Sequence, residues 1–403
     1  MLRRFAKGEG TIEKRVMDLS LSDGILWSVY SSITSNYLVP LTLFILGSRD
    51  PVGLIIGIPF LIVPIAQFFA YHHSKAATDL RRTTLSITFL DRILWLPLVF
   101  LLFIRIPFTD DVVFIILFLS IRTFFASFSG TTWTLWVPFL VPVGSRNQYF
   151  SIRNFYMKIF SLVGLFIGIG IFSISFEERL QYTLLILISL LFSTASLLIM
   201  RNIPSSNLRS ELTAGKGSKD RQFLFLLGNV GLFGIITSGL ITYFQFYLID
   251  RDYMHIPLTF YSILMILISV SFIISQIYWG KLANIIGNSR SLIIGVLLLL
   301  AVPILLIVSH SILTAVAASI LFGVVQSNSS LNIFNEMLLR GADRKVKSVS
   351  SFNTVQSLAL GSGPVLGNVI LFFSHITIYS LFAAFFFLSL LSLLLFVIYT
   401  LRY

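Results

Sequence analysis

GKLANIIGNSR, residues 280–290, is a short interruption rich in glycine, asparagine and charge, set between two long apolar runs at 257–279 and 291–309. Each flanking run has about the 20 residues that a helix needs to cross the hydrocarbon of a bilayer. Applied to the whole chain, the same test finds twelve such stretches. They lie near 22–47, 51–72, 83–104, 112–138, 156–176, 180–200, 222–249, 257–279, 291–309, 311–335, 348–373 and 376–401. Hydrophobic residues make up 56% of the 403 and charged residues 11%, with a mean hydropathy of +0.91, far outside the soluble range. Only helices and closed barrels satisfy the backbone inside a bilayer, and runs this continuous are not alternating barrel strands. The reading is an all-α integral membrane protein with twelve transmembrane helices.

The net charge of +12 would suggest nucleic acid in a soluble protein, but its placement argues otherwise. With twelve spans, 23 of the 29 Lys and Arg fall on the side of the N-terminus, in clusters such as Lys14/Arg15 and Arg81/Arg82, while Arg49, Arg105, Arg179 and Arg251 lie opposite. Cationic loops stay in the cytoplasm. Both termini are therefore expected to be cytoplasmic, in a multi-pass protein of the plasma membrane whose excess charge meets anionic lipid heads; nucleic acid is not an expected partner. The first 21 residues are polar and lack a signal-peptide core, so the first span is expected to be its own insertion signal. Cysteine is absent. The five histidines, His72, His73, His255, His310 and His375, sit near span ends without an i, i+4 pair or a carboxylate cluster. Neither a metal site nor a cofactor is expected.

The stretch NIPSSNLRSELTAGKGSKD, residues 202–220, reads as a linker by its Ser, Gly, Lys and Arg content. The chain thus divides into a cytoplasmic N-terminal segment (1–21), an N-terminal six-helix bundle (22–200), a cytoplasmic linker (201–221) and a C-terminal six-helix bundle (222–403). An offset of 199 positions sets Ser151 on Ser350, Asn154 on Asn353, Gly164 on Gly363 and Gly168 on Gly367. Four identities are few, but both windows place Ser-x-x-Asn before a glycine-bearing apolar helix at the same ordinal position of each half, the mark of an internal repeat.

In the opening stretch, the spacing of Gly280, Asn284, Gly287 and Arg290 resembles the loop motif G-x-x-x-D-x-x-G-R-[RK] of the major facilitator superfamily. The matching loop of the first half, SKAATDLRR at 74–82, keeps Asp79, Arg81 and Arg82 but has Lys75 and Arg82 where the glycines belong. Physically, such a connection needs glycine for backbone freedom and close helix approach, an Asp or Asn to cap a helix start, and cations to hold the lipid surface. Two copies six spans apart, with a central linker between them, extend the resemblance over nearly the whole chain. It implies two pseudo-symmetric six-helix bundles. It also implies that these loops help close the cytoplasmic gate, with Asn284 replacing the acid.

Charge in the hydrocarbon is costly, so ionisable residues inside spans are functional candidates. Three stand out: Asp91 and Arg92 in span three and Arg122 in span four. Arg122 lies too deep to snorkel and must face a partner or water; the resemblance places it where some members handle protons or substrate, although Ala126 replaces the motif's glycine. Asp91 can approach Arg122 from the neighbouring helix, whereas Asp91 and Arg92, about 100° apart, need not pair with each other. The three are the coupling candidates, and the second half shows no ionisable residue within a span.

In the superfamily, spans one, four, seven and ten line the central cavity. Their polar stripes supply Ser35, Asn36 and Tyr37; Arg122 and Trp133; Ser238, Thr242 and Gln245; and Asn328 and Asn332, which form one amide face with Asn335. Interhelical hydrogen bonding is the competing role for each. The expected function is a secondary active transporter moving a small organic solute by alternating access, with or without proton coupling, as a monomer in contact with membrane lipids. A transport-inactive receptor or scaffold, a flippase for amphipathic compounds, and an enzyme on lipid-linked substrates are the rivals. No convergent acids, histidines or nucleotide loop support the enzyme.

Overall fold

The computed structural model describes residues 11–46, 51–77, 79–103, 111–205, 221–340, 345–373 and 377–402. Arg49, Arg105, His375 and most of the linker lie outside them. The elements are all helical: α1 Thr11–Asn36, α2 Leu38–Leu46, α3 Val52–Leu61, α4 Val63–Ala76, α5 Leu80–Ile93, α6 Leu96–Leu101 and α7 Asp111–Thr134; then α8 Val143–Phe172, α9 Glu178–Met200, α10 Arg221–Ile249, α11 Leu258–Ile286, α12 Asn288–Val308, α13 Ile312–Arg340, α14 Lys345–Asn368 and α15 Ile378–Arg402. Eleven described stretches are long and apolar enough to span a bilayer, and α1 with α2, bent by 42°, makes a twelfth.

The first span departs from the sequence expectation. Its helix begins at Thr11, so part of the segment expected as a separate N-terminal piece is the start of α1. Glu13, Lys14, Arg15 and Asp18 depress any hydropathy window there, yet Val16, Met17, Ser20 and Leu21 share one buried face. Val16 joins Leu80, Trp136, Val137, Met200 and Ile203 in a core cluster. Ile203 and the Pro204 carbonyl, which accepts from Trp136 Nε1 at 2.9 Å, show that the start of the expected linker packs as part of this unit.

The chain forms two compact units. One comprises Met1–Tyr37 and Ile62–Thr213, the other Leu38–Leu61 and Ala214–Tyr403. The boundary thus differs from the expected six-and-six division: the second span, Val52–Ser74, is broken at Ile62 between Pro59 and Pro64, and its first part belongs with the C-terminal helices. Glycine explains why. A Cβ at Gly57 would collide with the Gly361 carbonyl and one at Gly361 would lie 2.7 Å from the Gly57 carbonyl, so α3 and α14 touch backbone to backbone. The Gly53 amide also donates to Asn368 Oδ1 at 3.0 Å.

Each unit repeats one helix contact. In the first, α1 packs on α8: a Cβ at Gly164 would lie 2.8 Å from the Val29 carbonyl and 3.0 Å from Ser32, and one at Gly168 would collide with the Tyr37 hydroxyl. In the second, α10 packs on α14: a Cβ at Gly363 would collide with the Ile235 carbonyl and Ser238, and one at Gly367 with the Tyr243 ring. The glycine pairs are those that the offset of 199 superimposes. This shared contact gives the pseudo-symmetry a physical basis.

Among the loop-motif residues, Gly287 has φ 87° and its amide closes α11 on Ala283 at 2.9 Å, which requires glycine. Asp79 caps α5 by accepting from the Arg82 amide at 3.2 Å. Two expectations are corrected. Asn284 lies exposed in the last turn of α11 and caps nothing, because Gly287 precedes α12 directly. Gly280 is not a close-approach glycine, since an added Cβ would meet only Leu331, at an ordinary 3.8 Å. Arg81 turns to its own unit and donates to the Arg201 carbonyl at 2.5 Å; Arg82 and Arg290 are exposed.

Candidate functional site

Within the first unit, α5 and α7 run antiparallel and meet along a polar ladder. Thr84 donates to the Thr132 hydroxyl at 2.9 Å, the hydroxyls of Thr88 and Ser129 hydrogen-bond, and one further rung places Asp91 against Arg122. Thr84, Thr88 and Asp91 follow i, i+4, i+7 spacing, one face of α5. At its deep end, Arg122 Nε lies 3.2 Å from Asp91 Oδ1. The Nε–H is not aligned for a hydrogen bond, so the attraction there is between charges. Arg92 Nη1 lies 3.1 Å from Asp91 Oδ2. The neighbours, which need not pair on helix geometry alone, do so here: their Cβ vectors diverge, but a guanidinium on a three-carbon stem folds back to the carboxylate.

Sequence reasoning missed two aromatic members. The Tyr30 hydroxyl accepts from Trp95 Nε1 at 2.7 Å and from Arg122 Nη2 at 3.4 Å. The Arg92 guanidinium carbon sits 4.1 Å from the Tyr30 ring centroid, and that of Arg122 sits 4.5 Å from the Trp95 ring centroid. Such contacts stabilise a cation more when it is desolvated. Tyr30, Asp91, Arg92 and Trp95 are all buried; the Arg122 side chain retains 17% exposure.

A second polar group lies in the same unit. Asp23 accepts from the Ser196 hydroxyl at 2.6 Å, and Arg153 donates from Nε to the Ser20 carbonyl at 3.0 Å with its guanidinium 4.6 Å from the Trp133 ring centroid. Asp23 also lies in the field of Arg153 and Arg92. Both residues escaped notice because they lie at the edges of the apolar runs. Among the described residues, these two groups bring together three guanidiniums, those of Arg92, Arg122 and Arg153, and two carboxylates, those of Asp23 and Asp91, so that one cation is in excess there.

Of the remaining span-one candidates, Ser35 is exposed and bonded to the Ser31 carbonyl at 2.6 Å, and Asn36 donates to the Ser32 carbonyl at 2.8 Å. Tyr37 is buried against Gly168 and Phe172, a packing position.

In the second unit, Ser238 donates to the Ala359 carbonyl at 3.1 Å, tying α10 to α14. Thr242 bonds its own helix at the Ser238 carbonyl, 2.8 Å away, and Gln245 Nε2 lies 3.5 Å from Met265 Sδ. Asn328 Nδ2 donates to the Ser291 carbonyl at 3.0 Å and Asn332 Nδ2 to the Ser291 hydroxyl at 2.9 Å, both fully buried. The amide face is thus turned onto α12, the arrangement of interhelical bonding. The expectation of no ionisable residue in this half's spans is also corrected. Glu336, 4% exposed in the span Ile312–Met337, accepts from Ser289 at 2.9 Å and from Tyr399 at 3.0 Å. It lies one position beyond the apolar run read from the sequence.

No family model and no curated relative matches the chain. Solved structures do. A bacterial homologue of the iron transporter ferroportin in its inward-facing state matches with a TM-score of 0.70 and 16% identity over 97% of this chain and 99% of the other. A point mutant of the nucleoside transporter NupG matches with 0.71 and 11% identity, covering 96% and 100%. The human organic anion transporter MFSD10 matches with 0.66 and 14% identity, covering 96% and 100%. The chain therefore has the all-α fold of the major facilitator superfamily over nearly its full length. These three structures carry iron, nucleosides and organic anions in their names, so the shared fold does not choose a cargo.

Proposed function

We propose that this protein is a secondary active transporter that moves a small organic anion across the plasma membrane by alternating access, working as a monomer with both termini cytoplasmic. One observation carries the anion: among the described residues, the two charge groups of the first unit leave one guanidinium in excess. An unbalanced cation inside a span is expensive, and a bound monoanion would neutralise it. Arg122 is the residue placed to receive it. It keeps the most exposure in the cluster, and among the described residues the five N–H donors of its planar fork make a hydrogen bond to Tyr30 alone, beside the charge contact with Asp91. Asp91 holds Arg122 and Arg92, so it is the group through which binding of the anion, or of a proton, would shift the charge balance. In this reading Arg92 and Asp91 are coupling residues, and the loops with Asp79, Arg81, Arg82, Gly287 and Arg290 mark the cytoplasmic gate.

The test is flux into proteoliposomes, with and without a pH gradient, across a panel of monocarboxylates, neutral sugars and organic cations. The expected result is uptake confined to the anions, lost in Arg122→Gln and reduced at least tenfold in Arg122→Lys, which keeps the charge but not the fork. Anion flux in Arg122→Gln equal to the parent would refute the assignment, and no flux across the panel would favour a receptor or scaffold.

A further inference from the structure

A groove of about 530 Å³ runs between α5 and α9, lined by Leu85, Phe89, Arg92, Ile93, Leu190 and Leu197 among others. Phe89, Ile93 and Leu198, which also line it, are between 43% and 58% exposed, so the groove opens on the surface of the unit along two candidate membrane spans. Along α9 it runs from Leu190 to Arg201 at the helix end, eleven residue steps or roughly 16 Å at about 1.5 Å per residue. Three features separate it from ordinary lipid-facing relief. At one end Arg201 lines the groove and its carbonyl accepts from Arg81 Nη2 at 2.5 Å, which brings two arginines to the same mouth. Neither has a carboxylate partner among the described residues. Deeper in, Arg92 lines the wall with its buried Nε without a hydrogen-bond partner.

From these features we propose that the groove is a binding site for a phospholipid with an anionic headgroup, drawn from the leaflet that faces the basic loops. The headgroup phosphate lies between Arg81 and Arg201, the two basic residues at this end of the groove, while one acyl chain fills the apolar channel along Leu85, Phe89 and Leu197. A phosphate at the mouth is favoured by charge and by the depth of the arginines at the helix ends, where headgroups reside. The chain covers Arg92 and excludes water from its pair with Asp91, so lipid occupancy supports the charge cluster from outside. A zwitterionic lipid would fill the channel but would leave the two guanidiniums uncompensated.

Native mass spectrometry of the delipidated full chain, titrated with dioleoylphosphatidylglycerol or dioleoylphosphatidylcholine, tests the site without knowledge of the transported solute. The parent should retain one phosphatidylglycerol in preference to phosphatidylcholine. In Arg81→Gln/Arg201→Gln the preference should fall roughly 30-fold, since each cation near an anionic surface contributes about fivefold. Thr194→Trp, which plugs the channel with both arginines intact, should abolish the retained lipid; Leu190→Trp serves the same purpose if the first variant does not fold, with helicity by circular dichroism as the check. Equal retention of the two lipids by the parent would overturn the proposal. So would undiminished phosphatidylglycerol retention in the folded plugged variant, which would indicate diffuse surface attraction only.

Discussion

Asp91→Asn is the most informative single change in the charge cluster. The substitution keeps the size and one acceptor of the side chain but removes the charge that faces both Arg122 Nε at 3.2 Å and Arg92 Nη1 at 3.1 Å. With charge centres about 4 Å apart and an effective dielectric constant near 20, each attraction is about 4 kcal/mol before desolvation is subtracted. Removing one partner of a buried pair costs about 3–5 kcal/mol, because the remaining charge is stranded. Here two are stranded, although the partial exposure of Arg122 lets water recover part of the loss. We expect Asp91→Asn to destabilise the protein by about 3 kcal/mol. Arg92→Gln leaves a neutral Asp91–Arg122 pair and should cost about 1 kcal/mol, within the ordinary range for a single substitution. The double variant has no stranded second cation and should be no worse than Asp91→Asn alone, a coupling of at least about 1 kcal/mol. Reversible unfolding in mixed detergent micelles measures all four corners of the cycle. Additivity within about 0.5 kcal/mol would show that the carboxylate does not balance the two guanidiniums, and the inference of an unmet positive charge would fall with it.

Two further outcomes test the packing and the asparagine tie. Gly363→Ala should fold poorly or lose about 3 kcal/mol or more, because its Cβ meets the Ile235 carbonyl and, at 2.7 Å, the Gly239 amide, which are backbone atoms that cannot swing aside. Gly130→Ala, whose Cβ meets nothing, should be neutral or gain up to about 1 kcal/mol; thermal melts in one detergent compare the two, and equal melting temperatures would contradict the close-approach account. Asn328→Ala should cost about 1 kcal/mol through its lost bonds to Ser291 and leave the KM of a transported solute unchanged; a raised KM at unchanged stability would return this residue to the cavity.

The sequence made some of this site legible and hid the rest for identifiable reasons. Asp91, Arg92 and Arg122 are visible because charge inside an apolar run has no cheap structural use, and the Asp91–Arg122 contact follows from their depths on neighbouring spans. Tyr30 and Trp95 carry no such contrast, since aromatic residues are ordinary members of apolar runs and only the fold reveals which rings lie under a guanidinium. Asp23, Arg153 and Glu336 were lost at window edges, where hydropathy stops before the helix does. Periodicity foresaw the polar faces of α10 and α13 but not their direction, because the same spacing serves a cavity or a neighbour such as Ser291.

The internal repeat shows how a strong structural regularity can leave a faint trace in sequence. Val29, Ser32 and Tyr37 of α1 correspond to Ile235, Ser238 and Tyr243 of α10 at an offset of 206, whereas Gly164 and Gly168 correspond to Gly363 and Gly367 at 199. In one half 131 residues separate the tyrosine from its glycine, and in the other 124 separate them. No single shift can therefore align both sides of the contact, and a sliding comparison recovers only the glycine side. What is preserved is the steric fit of a serine and a tyrosine against two glycines one helical turn apart. Loop length between them is free to vary, because it costs little in closure entropy. The backbone approach of the paired helices is not free. It is set by the absence of a Cβ, which is why the glycines persist at matching positions in the two halves while most of the surrounding apolar residues differ.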